Sequence, residues 1–369
     1  MSLCKYRIMH VSARADWGGG PEHIYQLISH IKDDFDFYVA CPNDDPYFNR
    51  FYYLLGGNRL CEIPHRKFSL RALFGICKFV LENKISLIHS HGKGGGLYGR
   101  LAALLCHVPC VHTFHGIHIG EYNVFKKWLY LVLERVLSHI TNIGIAISAG
   151  ERSQILHNRL FHPDRLVTVP NGVKIPYLES MVIPNANPFL VIHISRFDVA
   201  KNSEFIVDIL DCLRREKKAS LIKIVCIGSG IGVTQLRAKL AELCLDKYVL
   251  FTGALADPSI YFKGALCYLS TSRWEGLPLA LLEAMSYNLP VVASDVVGNR
   301  DAVEDGITGF LYNLGDARAA CKALLSLANN VPLAMQMGQE GRKRIEDNYD
   351  ACRMASDTSQ VYYGIMRHA

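Results

Sequence analysis

The chain has 369 residues, 50% of them hydrophobic and 20% charged, and a formal net charge of +6. That length exceeds one compact core and predicts two domains of roughly 150–200 residues each, while the composition excludes a disordered or low-complexity protein. No apolar run approaches the ~18 residues of a membrane span, and Ile8-Met9-His10-Val11 is too short for a secretory signal core, so a cytoplasmic protein is expected.

The 12 cysteines are scattered through apolar contexts, and the closest pair, Cys106 and Cys110, has no matching second pair. Reduced core thiols are the expectation. The basic excess lies in the first half of the chain, with 13 of the 15 histidines. This half either faces an acidic surface or substrate or carries a solvated basic face.

In chain order, Tyr6–Val11 reads as a strand, Gly18-Gly19-Gly20 as a loop, and Pro21 through Ile31 as a helix with apolar residues at helical spacing. Such a loop can cradle a phosphate or simply make a tight turn. Strands are predicted at Phe37–Cys41, Leu87–Ser90, Cys110–Thr113, Ile143–Ile147 and Leu166–Val169. Helices are predicted at Leu70–Leu81, Leu97–Leu105 and Phe125 to about Leu137. The alternation implies right-handed βαβ units and a parallel sheet. Ligands collect at the carboxyl ends of strands in such sheets, which places His115, just after Cys110–Thr113, as a candidate beside a ligand or as a buried hydrogen-bonded ring. His89, His91 and His112 raise a metal cluster, against which His112 and His115 fall on opposite faces of a continued strand. The mixture Phe125-Lys126-Lys127-Trp128 fits an amphipathic core helix and also fits a membrane-surface helix.

Composition then changes. Pro170-Asn171-Gly172, Pro176, Pro184 and Pro188 punctuate an aperiodic stretch taken as a linker over 171–188, between domains at 1–170 and 189–349. Phe189–Ile194 is a strand ending in Ser195-Arg196 and, farther on, Lys201, two cations suited to a diphosphate. Strand Ile222–Ile227 leads to Gly228-Ser-Gly230-Ile-Gly232, a partial dinucleotide fingerprint. Val249–Thr252 with Gly253, Leu266–Ser270 and Pro290–Ala293 are further strands. Between the last two lies Arg273-Trp-Glu275-Gly276-Leu277-Pro278-Leu279-Ala-Leu-Leu-Glu283. Pro278 is expected in the first turn of a helix whose free N–H groups near Leu277 and Leu279 form an anion site, with Glu275 on the loop and Glu283 one turn inside. Helical patterns run from Ala317 to the end, and the last segment, 350–369, is expected to return to the first domain.

These residues resemble family 4 of the glycosyltransferases, retaining enzymes of the GT-B fold. The resemblance spans nearly the whole chain. It rests first on Glu275 and Glu283 with seven residues between them, then on Gly18–Glu22, His89-Ser-His91, Thr113–Gly116, Pro170-Asn171-Gly172-Val173, Ser195-Arg196 with Lys201, and the Gly228 turn. It implies two Rossmann-like parallel-sheet domains facing a central cleft. Arg196 and Lys201 would hold the donor diphosphate, Glu283 the nucleotide ribose and Glu275 the transferred sugar, with Gly276, Leu277 and Leu279 assisting through their backbones. Gly228 and Gly253 would line the donor pocket, and His115, Gly19 and Gly20 would face it from the other domain. The donor would be a nucleotide-diphosphate sugar, UDP-linked, and the acceptor a glycan or polyprenyl-linked hydroxyl. Neither a cofactor nor a divalent metal is implied, no nucleic-acid partner is expected, and the basic first half suggests peripheral membrane contact. Ser195, where glycine is common, and Asp198-Val199-Ala200 before Lys201 depart from the family pattern. A non-catalytic sugar-nucleotide-binding protein is the rival reading, and a dehydrogenase is disfavoured by the incomplete glycine fingerprint.

Overall fold

A computed structural model describes residues 5–117, 119–120, 122–178 and 187–367. His118 and residues 179–186 of the expected linker lie outside them. The described chain forms two units, residues 1–172 with 351–369, and 173–350. Residues 173–178, read from the sequence as linker, belong to the second unit.

The first unit runs β1 (Arg7–Ser12), α1 (Gly19–Ile31), β2 (Asp36–Cys41), α2 (Tyr47–Leu55), β3 (Leu60–Glu62), α3 (Leu70–Glu82), β4 (Leu87–His91), α4 (Gly92–Cys106), β5 (Cys110–Thr113), α5 (Val124–His139), β6 (Ile143–Ala146), α6 (Ala149–His157) and β7 (Leu166–Thr168). Its strands pair in parallel in the order β3-β2-β1-β4-β5-β6-β7. The second unit runs β8 (Phe189–Ile194), α7 (Phe205–Arg215), β9 (Ile222–Ile227), α8 (Val233–Glu242), β10 (Val249–Gly253), α9 (Ser259–Phe262), β11 (Cys267–Ser270), α10 (Leu279–Ser286), β12 (Val291–Ser294), α11 (Val297–Ala302), β13 (Gly309–Tyr312), α12 (Ala317–Asn329) and α13 (Val331–Asn348). Its parallel order is β10-β9-β8-β11-β12-β13. The last helix, α14 (Ala351–Met366), packs on α1 in the first unit, burying Met354, Ala355 and Tyr362 in the core shared with Ile24, Leu27 and Ile28.

Helix α4 starts five residues earlier than apolar spacing predicts. The run Gly94-Gly95-Gly96, ahead of the predicted start, is helical because the helix lies against the strands. A Cβ on Gly95 would sit 2.3 Å from the Val11 carbonyl oxygen, and one on Gly99 would sit 2.6 Å from Ser90 Cβ. The energy of close packing outweighs glycine's helix cost of about 1 kcal/mol per residue. Helix α2 has no counterpart in the sequence-based reading, since only Tyr47 and Phe51 of its nine residues are buried.

One buried ion pair ties the helical layer together. Arg100 on α4 is fully buried, donates from Nη1 and Nη2 to both Glu134 carboxylate oxygens at 2.8 and 3.1 Å, and donates from Nε to the Gly96 carbonyl at 2.9 Å. Every strong donor direction of the guanidinium that the pair needs is satisfied, and Glu134 fixes α5 to α4. Removing one partner strands the other charge in the core. Arg100→Ala or Glu134→Ala should therefore lower unfolding free energy by about 3–5 kcal/mol, whereas the double change Arg100→Met/Glu134→Leu should recover most of it. Urea denaturation of the three variants checks this; equal losses in single and double variants would exclude it.

Candidate active site

Both sheets reverse strand order once, between β1 and β4 in the first unit and between β8 and β11 in the second. Loops leaving neighbouring strands there diverge to opposite sides, so the strands' carboxyl ends are open to a ligand. The sequence-derived site residues divide between these two places.

In the second unit, the loop after β8 carries Arg196 and Lys201 and the loop after β11 carries Glu275. Lys201 Nζ donates to Glu275 Oε1 at 2.5 Å, and Ser272 Oγ donates to the same oxygen at 2.6 Å. The lysine and the glutamate, given separate ligands by the sequence reading, thus also hold each other. Backbone bonds reinforce the junction: Arg273 N–H donates to Ala200 O at 2.8 Å and Thr271 Oγ1 to Lys201 O at 2.8 Å. Arg196 pairs with Asp198 at 3.0 Å, and Asp198 Oδ1 accepts from the Lys201 N–H at 3.1 Å. The acidic residue that departs from the family pattern therefore shapes the turn presenting both cations.

Below that turn, Ser195 Oγ lies 2.8 Å from Ser203 Oγ and accepts from Phe197 N–H at 2.8 Å, while His193 reaches Ser203 Oγ at 2.9 Å and Leu269 O at 3.0 Å. Ser195 replaces a glycine with a hydroxyl that organises the loop. The loop after β9 passes directly against it. Gly228 has φ +126°, and a Cβ there would lie 1.9 Å from the Ser195 carbonyl oxygen; one on Gly230 would lie 1.7 Å from the Arg196 carbonyl oxygen. Only glycine fits both positions. Gly253, φ +76°, accepts the Gly228 N–H at 2.8 Å and closes the turn from β10.

Pro278 is the N-cap rather than a residue of the first turn, and α10 begins at Leu279. Leu277, Leu279, Leu281 and Leu282 are buried, so α10 offers a ligand its first-turn N–H groups and the face bearing Ala280 and Glu283. Burial, then the charges of Glu275 and Glu283, raise the Tyr268 phenol well above its ordinary range, so both glutamates bear on one buried ring. Gly298 at the start of α11 packs on Gly276: a Cβ there would lie 2.5 Å from the Gly276 carbonyl oxygen. Asn299, just after it, donates to Ser294 O at 2.9 Å and leaves its buried Oδ1 without a partner.

In the first unit, His115 follows β5 in the left-handed region at φ +60°. Glu151, fully buried at the start of α6, accepts from the Ile147 N–H at 2.7 Å and from the Gly116 N–H, clamping the turn that carries His115. The sequence reading missed Glu151. Its signal was the capping pattern Ser148-x-x-Glu151 after a strand, and Ser148 Oγ indeed accepts from Glu151 N–H at 3.0 Å. Gly19 and Gly20 open α1, and His23 lies buried on the same helix.

His115 Nε2 lies 3.0 Å from His91 Nδ1, and His91 Nε2 lies 2.9 Å from His10 Nδ1. His23 joins the group, its ring centroid 4.8 Å from that of His115 and its Nδ1 3.0 Å from Asn171 Oδ1. His89 bonds Tyr362 of α14 at 2.6 Å and Thr113 at 2.8 Å. His112 points to the other sheet face, bonded to Ser90 at 2.9 Å, as strand alternation predicts. The triads His10/His89/His91 and His23/His91/His115 keep one nitrogen each within 4.8 Å of the others. Both nitrogens of His89 and of His91 already serve hydrogen bonds.

The family models for glycosyl transferases group 1 and Glycosyltransferase Family 4 match residues 181–344 and 17–175 respectively. The chain belongs to glycosyltransferase family 4. The transferase is 25% identical over 350 residues to the Escherichia coli UDP-Gal:alpha-D-GlcNAc-diphosphoundecaprenol alpha-1,3-galactosyltransferase, covering 90% of this chain and 89% of that one. It is 21% identical over 320 residues to the Staphylococcus aureus capsular polysaccharide biosynthesis glycosyltransferase CapM, covering 81% and 82%. Its fold matches that of Anabaena HepE, solved with UDP-glucose, with TM-score 0.82 at 17% identity, over 97% of this chain and 99% of that one. The α/β architecture of two Rossmann-like units expected for GT-B is thereby established.

Burial holds this cluster of histidines neutral. It lowers His10 to about 3 and His23 to about 4, and His89, His91, His112 and His115 move in the same direction. The folded state thus binds fewer protons than the unfolded chain once pH falls below the ordinary histidine value of 6.5. Their contribution to stability is complete above that pH and is lost as pH falls toward 4, at up to about 1.4 kcal/mol per pH unit for each histidine. Urea midpoints should accordingly fall steeply between pH 7 and 5. A midpoint flat across that interval would contradict buried neutral rings.

Proposed function

We propose that this transferase moves a sugar from a UDP-linked donor to an acceptor hydroxyl, with retention at the anomeric carbon, in the assembly of a cell-surface polysaccharide or lipid-linked glycan. The observation that carries the reading is the junction of the β8 and β11 loops at the switch point, where Arg196, Lys201, Glu275 and the start of α10 converge within one unit. The names of its relatives support the donor and acceptor classes, since one takes UDP-galactose and a diphosphoundecaprenol-linked sugar and another builds a capsule.

Arg196 and Lys201 neutralise the diphosphate, Glu283 accepts from the ribose hydroxyls, and Glu275 orients the sugar with the backbone of Gly276 to Leu279. As the bond from the anomeric carbon to the diphosphate oxygen breaks, its electron pair leaves with the nucleotide. The acceptor oxygen attacks from the same face and its proton passes to the departing phosphate. Charge grows on the diphosphate in that step, so fixed cations and helix N–H groups stabilise the transition state more than the bound donor. Lys201 retains N–H donors beyond the one directed at Glu275. Glu275 needs no role as nucleophile. No divalent metal takes part.

Lys201→Ala and Glu275→Ala should each reduce transfer about 10²–10³-fold. UDP-sugars should raise the melting temperature of the wild type in proportion to affinity and concentration. Turnover should persist in chelator. The assay is radiolabelled sugar transfer with a thermal-shift screen of nucleotide sugars, and unchanged turnover in both variants would remove the site.

A further inference from the structure

Helix α5 turns a row of large apolar side chains outward. Val124, Phe125, Trp128, Leu129, Leu133 and Val136 are all exposed, Val124 by 86%, Phe125 by 70% and Trp128 by 58%. Their spacing of three and four residues makes one stripe along the helix, and the Phe125 and Trp128 rings stack at 6.2 Å. The opposite side of α5 is fixed, because Glu134, Leu137 and Ser138 are buried and Glu134 is locked to Arg100. The stripe is therefore the helix's settled outer face. Helix α3, packed against α4, adds Leu70, Phe74 and Leu81, each more than 60% exposed.

Charge on this part of the chain is one-sided. Residues 63–150 contain ten Lys and Arg but only three acids, Glu82, Glu121 and Glu134. The Arg100–Glu134 pair is internal, so the surface balance is carried by cations such as Arg71, Lys78, Lys126, Lys127 and Arg135. Large apolar groups flanked by cations, with acids nearly absent, match a surface offering acyl chains below a layer of anionic headgroups. A soluble acidic protein would satisfy the charge but leave Val124, Phe125 and Val136 needing a matching apolar groove.

We propose that α5, with the outer side of α3, is a docking face for an anionic lipid bilayer, on which α5 lies with Phe125 and Trp128 inserted and Lys126 and Lys127 on the headgroups. The proposal deepens the lipid-linked acceptor reading, and vesicle binding measured without donor or acceptor tests it apart from that reading.

The test is co-sedimentation of the full chain with vesicles of phosphatidylcholine alone or containing phosphatidylglycerol, at low and high salt. Wild type should sediment with the anionic vesicles, and both high salt and K126E/K127E should weaken binding about tenfold. Phe125→Ser with Trp128→Ser should weaken it at least as much while leaving circular dichroism and transfer to a soluble acceptor unchanged, since none of these side chains belongs to the proposed sugar site. Equal binding by wild type and both variants, or no binding to anionic vesicles, would overturn the proposal. So would a concentration-dependent dimer, seen by light scattering and abolished by the serine variant, because the stripe would then be an interface between copies.

Discussion

A parallel sheet whose strand order reverses once cannot cover its own carboxyl edge at the point of reversal, and both units of this transferase build their candidate chemistry there. In the second unit the reversal separates the loop after β8 from the loop after β11. What rejoins them is Lys201 to Glu275, supported by Arg273 N–H to the Ala200 carbonyl. The ion pair is largely sheltered, with side-chain exposures of 22% and 11%, so its geometry is held by the surrounding backbone rather than left to two mobile side chains. In the proposed reaction a charge placed in this way needs little reorganisation as the diphosphate charge develops, and that preorganisation is what catalysis by electrostatics requires.

Backbone approaching backbone is the second constraint, and it explains glycines that look alike in the sequence but do different things. Gly228 and Gly230 let the β9 loop pass under the carbonyls of Ser195 and Arg196, while Gly95 and Gly99 let a helix press on strands. In the first case glycine admits a positive φ and a sub-van-der-Waals Cβ position at the edge of a site. In the second the conformation is ordinary helix and only the missing Cβ matters. The partial dinucleotide fingerprint at Gly228 is accordingly a packing device between two loops and carries no implication of a nicotinamide cofactor.

This distinction also marks how far the sequence could be read. Most strands were legible because each is a short apolar run bounded by turn residues, whereas β3, three residues with none buried, was not; Glu275 with Glu283 was legible because a proline and a glycine fix where the loop becomes helix. The glycine run before Leu97 was left out of the predicted helix, since local propensity disfavours it and only the strands beneath it make it helix. Helix α2 is short, and only Tyr47 and Phe51 of its nine residues are buried, so it escaped. Lys201 and Glu275 stand 74 residues apart, so their pairing depends on strand order, which no local spacing encodes. Asn171 looked like part of a linker turn, and its contact with His23 spans 148 residues.

The histidine chain follows from the same logic of satisfying buried groups. Three neutral rings joined by two hydrogen bonds must share one direction, each donating to the next, because a neutral imidazole has one N–H and one lone pair. If the chain ran from His115 toward His10, the last N–H would sit on His10 Nε2, which is buried and has no partner. A buried N–H without an acceptor is the rarer and costlier orphan. The opposite direction leaves a lone pair at His10, places protons on Nδ1 of His10 and His91, and makes His115 accept at Nε2. His115 then carries its own proton on Nδ1, as a hydrogen-bond donor. A ring in the core thereby determines which hydrogen bond the half-buried ring at the strand's end can offer.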